Sequence, residues 1–197
     1  NAISNSSFGT GIIQIPAGTS STISTSSTIS NDFNFPSGTG NITISTVGTT
    51  FSGSFLSGNV TKIGTGTLTL SNTSTLNSVT VNSGTVVLAA VSNAISLASG
   101  TTIQPSLATM TWPTVALLSG TSTINIPVSQ TLTLNNLTNT GGFTKTGTGT
   151  LVLPFSTSYS GGTNFSAGTI QIANATSLGS GPLNITGSAN LKAAASV

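Results

Sequence analysis

Apolar and polar residues alternate along this chain in short bursts. Examples are "IIQI" at Ile12–Ile15, "NITIS" at Asn41–Ser45, "TLTL" at Thr67–Leu70 and "SVTV" at Ser78–Val81. The series continues with "TVVL" at Thr85–Leu88, "TINI" at Thr123–Ile126, "TLTL" at Thr131–Leu134 and "TIQI" at Thr169–Ile172. A period of two in Thr, Val, Ile and Leu predicts β-strands with one face buried. Between the bursts stand turn signals such as "SGTG", "NSG", "TGG", "SGG" and "GSGP". No stretch carries a helical period, and "VALLSG" after Pro113 is too short for one. Strands this short and this evenly punctuated predict a sandwich, a barrel or a solenoid.

An internal repeat favours the solenoid. "TKIGTGTLTL" at Thr61–Leu70 returns 83 positions later as "TKTGTGTLVL" at Thr144–Leu153. Lys62, Gly64, Gly66, Leu68 and Leu70 fall on Lys145, Gly147, Gly149, Leu151 and Leu153. Further on, "VNSGTVVL" at Val81–Leu88 matches "FSAGTIQI" at Phe165–Ile172, offset by one residue. Within the first unit the "GT" before Leu68 and the "GT" before Val86 lie about 18 residues apart, the length of one solenoid coil. The reading is a single all-β domain over 1–197, a parallel β-helix of about six coils. About 18 strands, three per coil, at roughly 4.8 Å per coil give a rod about 30 Å long. Residues 1–60 form divergent N-terminal coils or a donor segment, 61–103 the first repeat, 104–143 linker coils and 144–197 the second repeat. The leucines point inward, and Thr67 and Thr69 point out. Gly66 and Gly149 are expected where a turn needs positive φ or close backbone approach. Lys62 and Lys145 are expected as solvated charges just before a strand. Trp112 and Met110 read as core or turn-packing residues, and Phe33, Phe35, Phe51 and Phe55 alternate in pairs as core-facing strand positions do.

The second copy carries a longer pattern. After "KTGTGTLVL" come "YSGGT" at Tyr159–Thr163, "SAGTIQI" at Ser166–Ile172 and "SLGSGPLNITGSANL" at Ser177–Leu191. This order and spacing resembles the passenger-associated repeat of bacterial autotransporters, over Lys145–Leu191 and including Gly161, Gly162 and Gly168. In the copy at Lys62, "STLNSVTV" stands in place of "YSGGT". Residues 1–60 match in texture alone. The resemblance implies a right-handed parallel β-helix, an extracellular or cell-surface location and no catalytic residues.

Composition narrows the function. Charged residues are 2% of the chain, against about 25% in an ordinary domain. Asp32 is the one acid, the bases are Lys62, Lys145 and Lys192, and Arg, Glu, His and Cys are absent. No basic stripe suits nucleic acid, and no apolar run is long enough to span a membrane. Glycoside hydrolysis requires two carboxylates, a zinc site needs His or Cys, and a Ser-His-Asp triad needs its histidine. No catalytic residue, metal or cofactor is therefore expected. With one side-chain acid and no histidine, stability is expected to be nearly flat from about pH 2 to 9. Thr67/Thr69, Thr131/Thr133 and Thr148/Thr150 suggest ice binding only if they occupy one position in successive coils, and their sequence spacing is irregular.

The function expected is that of a non-catalytic extracellular building element, either a fibre subunit or an adhesive passenger segment. Its expected partners are copies of itself, stacked head to tail, and a host or neighbouring cell surface. The alternative function is a carbohydrate- or ice-binding module. The alternative architecture is a β-sandwich pilin that donates "FGTGIIQIP" at Phe8–Pro16 to the next subunit.

Overall fold

A computed structural model describes residues 10–16, 19–23, 28–34, 39–44, 48–56, 58–71, 76–89 and 93–193. These residues form 23 strands of two to six residues and no helix. Every pairing between strands is parallel. The chain visits three stations in turn, as in Ala94–Leu97, Thr102–Pro105, Thr109–Trp112 and back to Thr114–Leu117. Face I holds seven strands, from Ser20–Ile23 to Leu137–Thr138. Face II holds nine, from Thr28–Ile29 to Leu183–Ile185. Face III holds five, from Thr109–Trp112 to Ala189–Ala193. In the first coils the third station is taken by the pair Ile13–Gln14 and Phe33–Asn34, extended by a bridge from Phe33 to Phe55.

This is the β-solenoid expected, but it is longer. Nine strands on face II make about eight turns, and eight steps of ~4.8 Å give a rod of about 38 Å. The six-coil expectation falls short because strands of two residues, such as Phe33–Asn34 and Leu137–Thr138, hold no alternation to read. The sandwich pilin is excluded by the same pairings. Ile13–Gln14 bonds in parallel to Phe33–Asn34 of its own chain, with the Ile13 N–H donating to the Asp32 carbonyl at 2.8 Å. It is a rung of its own chain's stack rather than a donor, and Phe8 and Gly9 lie outside the described residues.

Alternation decides what fills the tube. On face II, Leu68, Val86, Ile103 and Ile124 stand in register one above another, all buried. Each such side chain contributes roughly 1.5–3 kcal/mol by leaving water. Phe33, Phe51 and Phe55 form an aromatic cluster with ring centroids 4.5 to 5.8 Å apart. Trp112 and Met110 are buried, and Phe35 lies outside the described residues. Register survives unequal coil lengths. The steps that lead from Thr67 through Thr85, Thr102 and Thr123 to Thr144 differ in length, yet each neighbouring pair is in register. Loops absorb the difference outside the sheets.

Candidate functional site

The repeated phrase builds a corner. In the first copy, the strand Asn59–Ile63 on face I carries Lys62, a turn runs through Gly64 and Gly66, and Thr67–Leu70 continues on face II. In the second copy, Gly142–Thr146 on face II carries Lys145, Gly147 and Gly149 make the turn, and Thr150–Leu153 continues on face III. Leu68, Leu70, Leu151 and Leu153 all point inward and are buried.

The lysines overturn the expectation of solvated charges, because both are 0% exposed. Lys62 lies two residues from buried Val60, and Lys145 two residues from buried Phe143, so strand alternation turns both inward. The stem lines the core and the ammonium reaches the strand end, where the turn directs its carbonyls into the tube. Lys62 Nζ donates to the carbonyls of Ile63 at 3.1 Å, Gly64, and Ser83 at 3.2 Å. Lys145 Nζ donates to the carbonyls of Thr146 at 2.8 Å, Gly147 at 2.7 Å and Ala167 at 3.1 Å. Each ammonium has three donors and meets three acceptors. Two come from its own turn and the third from the turn one coil on, so the side chain ties successive coils together. Burying a charge is costly unless it is hydrogen-bonded, and burial lowers both pKa values from 10.5 to about 8.

Glycines make room for the knot. The left-handed backbone falls on Gly64 (φ 81°) and Gly147 (φ 72°) rather than on Gly66 and Gly149. Gly149 serves close approach instead, since a Cβ there would collide with the carbonyl oxygens of Pro127 and Gln130. From the next coil, Gly84 and Gly168 close over the turn at φ 76° and 83°. A Cβ on Gly84 would lie 2.6 Å from the Gly64 oxygen and 2.9 Å from Lys62 Nζ. One on Gly168 would lie 2.6 Å from the oxygens of both Gly147 and Gly149.

The "YSGGT" phrase is a second device, confined to the second copy. Tyr159 is buried, its ring centroid 5.5 Å from that of Phe143, and its hydroxyl is hydrogen-bonded to that of Thr163. Burial raises its pKa to about 12, against the smaller opposing effect of that hydrogen bond. Gly161 and Gly162 stack against Gly141 and Gly142 of the previous coil, where a Cβ on Gly142 would lie within 2.6 Å of both carbonyl oxygens.

Sequence reasoning missed Ser83, Gly84 and Ala167, the groups that complete the two knots. The signal was present in "NSG" and "SAG", which hold the same place in both copies. Asp32, the one acid, is half-buried and accepts a hydrogen bond from the Ser54 N–H at 2.7 Å. Among the described residues no group of three or more His, Cys, Asp or Glu is placed to hold a metal ion.

The passenger-associated-transport-repeat family matches this chain at residues 60–88 and 143–172. Both matched segments run from the lysine-bearing strand to the strand that follows the sealing glycine. No curated protein and no solved structure matches the chain.

Proposed function

We propose, on the premise that this chain carries two passenger-associated-transport-repeats, that it is a non-catalytic structural segment of a surface-displayed passenger. The observation that carries this reading is the direction of the repeat's own chemistry. Its lysines are buried and bonded to backbone carbonyls, and its leucines fill the tube. What defines the repeat therefore holds coil upon coil and leaves no reactive group for a substrate. Composition supports the same reading, since one acid and no histidine or cysteine leave little for acid–base or metal chemistry.

In this reading the rod also stacks on copies of itself. Inward rows of faces II and III run on to Ile185 and Leu191, which are 58% and 40% exposed on the last described rung. In such a stack a second copy takes the place that a further coil would otherwise take, covering both side chains and pairing with the sheet edge. The contact would be apolar and backbone-mediated, so it should survive high salt. Sedimentation and electron microscopy at high concentration test it. Salt-resistant filaments are expected, and Ile185→Lys or Leu191→Asp should shorten them. Monomers at every concentration would overturn the stacking.

A further inference from the structure

Outward positions of face II fall into two columns of different character. In one, Gln104, Asn125 and Thr146 satisfy one another. Asn125 Nδ2 donates to Gln104 Oε1 at 2.9 Å, and the Thr146 hydroxyl donates to Asn125 Oδ1 at 3.3 Å. The other reads Thr67, Thr85, Thr102, Thr123, Thr144, five threonines in register on five successive rungs. Among the described residues, none of these five hydroxyls has a hydrogen-bond partner. Irregular sequence spacing is therefore no obstacle to a threonine array, because the loops absorb it.

We propose that this column is an ice-binding site, a rank of hydroxyl and methyl groups that holds the outermost water layer of an ice crystal. Neighbouring rungs sit ~4.8 Å apart, so the five threonines present a regular row about 19 Å long. Thr is stiff at χ1, and the strands hold its backbone, so little side-chain freedom is lost when the waters lock in. The methyl groups fill the gaps between waters while the hydroxyls anchor them. No charge interrupts this column or its neighbour to organise water differently, and the amide column beside it is already self-satisfied. A polysaccharide surface would call for exposed aromatic rings or carboxylates, and neither column has any. Face I is a built-in contrast, because its column Thr61, Thr80, Ser96, Ala116, Thr138 is broken by Ser and Ala.

Ice itself is the probe. Single crystals grown in the purified protein should be faceted and show a gap between melting and freezing temperatures. Thr102→Tyr and Thr123→Lys should each remove most of that gap, and Thr80→Tyr on face I should keep it. All three substitutions are at outward positions. Circular dichroism melts check that each variant folds, and having two variants on the column keeps the test open if one does not. Round crystals with no gap for the unaltered chain would overturn the proposal. So would equal loss in Thr80→Tyr, or retention on cellulose beads without any effect on ice.

Discussion

The two copies of the repeat share a phrase but not a place. The first turns the corner from face I to face II, the second the corner from face II to face III. Lys62 and Lys145 are separated by four coils plus one further face. The repeat therefore encodes a corner and can be set at any corner of the tube. Both corners carry the same lysine knot, with two carbonyls from their own turn and one from the next coil. They differ beyond it. The second copy closes its coil with Tyr159 and stacked glycines, while the loop of the first buries Leu76.

The strongest way to break the equivalence is to remove each lysine in turn. Lys62→Met and Lys145→Met keep the stem but take the ammonium away from three carbonyls, of which that of Thr146 still accepts from the Ile126 N–H at 3.1 Å. Each orphaned acceptor costs about 1–3 kcal/mol, partly offset by no longer burying a charge. A loss of about 3 kcal/mol is expected for either variant by urea unfolding. A much smaller loss at one lysine would show that the two knots are not the same device.

The knots also predict a pH profile. With both lysines lowered to about 8, the folded chain sheds protons that the unfolded chain keeps up to 10.5. More protons on the unfolded state mean stability rises with pH, here between about 8 and 10.5. Tyr159 acts in the opposite sense. Its folded pKa of about 12 lies above the ordinary value of 10.0, so stability falls between those values. Thermal unfolding should therefore be most resistant near pH 10, where sequence alone gives a flat profile to pH 9. Either lysine variant should shrink the rising limb, and Tyr159→Phe should remove the falling one.

The sealing glycines sharpen the comparison. Gly84→Ala and Gly168→Ala place a side chain at positive φ, costing ~1–2 kcal/mol before any clash. Both Cβ atoms would meet two carbonyl oxygens of the turn below, and the Gly84 Cβ would in addition reach Lys62 Nζ at 2.9 Å. In double-mutant cycles Lys62→Met should soften Gly84→Ala by more than Lys145→Met softens Gly168→Ala. The smallest expected effect belongs to Tyr159→Phe at neutral pH. It removes one hydroxyl pair and should cost about 1 kcal/mol, with no counterpart in the first copy.

Much of the fold is legible in the sequence. A period of two fixes which residues share a side, and a repeated Gly–Thr spacing fixes the coil, so Leu68 and Val86 can be stacked from the letters alone. The near absence of acids, histidine and cysteine bears on function class without any coordinates. The direction of the lysines was half legible. Lys62 shares a side with Val60 and Lys145 with Phe143, and that parity conflicts with the rule that charge faces water. Only the tertiary structure resolves the conflict. The cost of burial depends on a carbonyl of the next coil, Ser83 or Ala167, that no local pattern places beside the amine. The same holds for the face each copy occupies and for the threonine column. Both depend on how much chain each loop takes up before the strand re-enters its sheet, and that is set by stacking on the coil below.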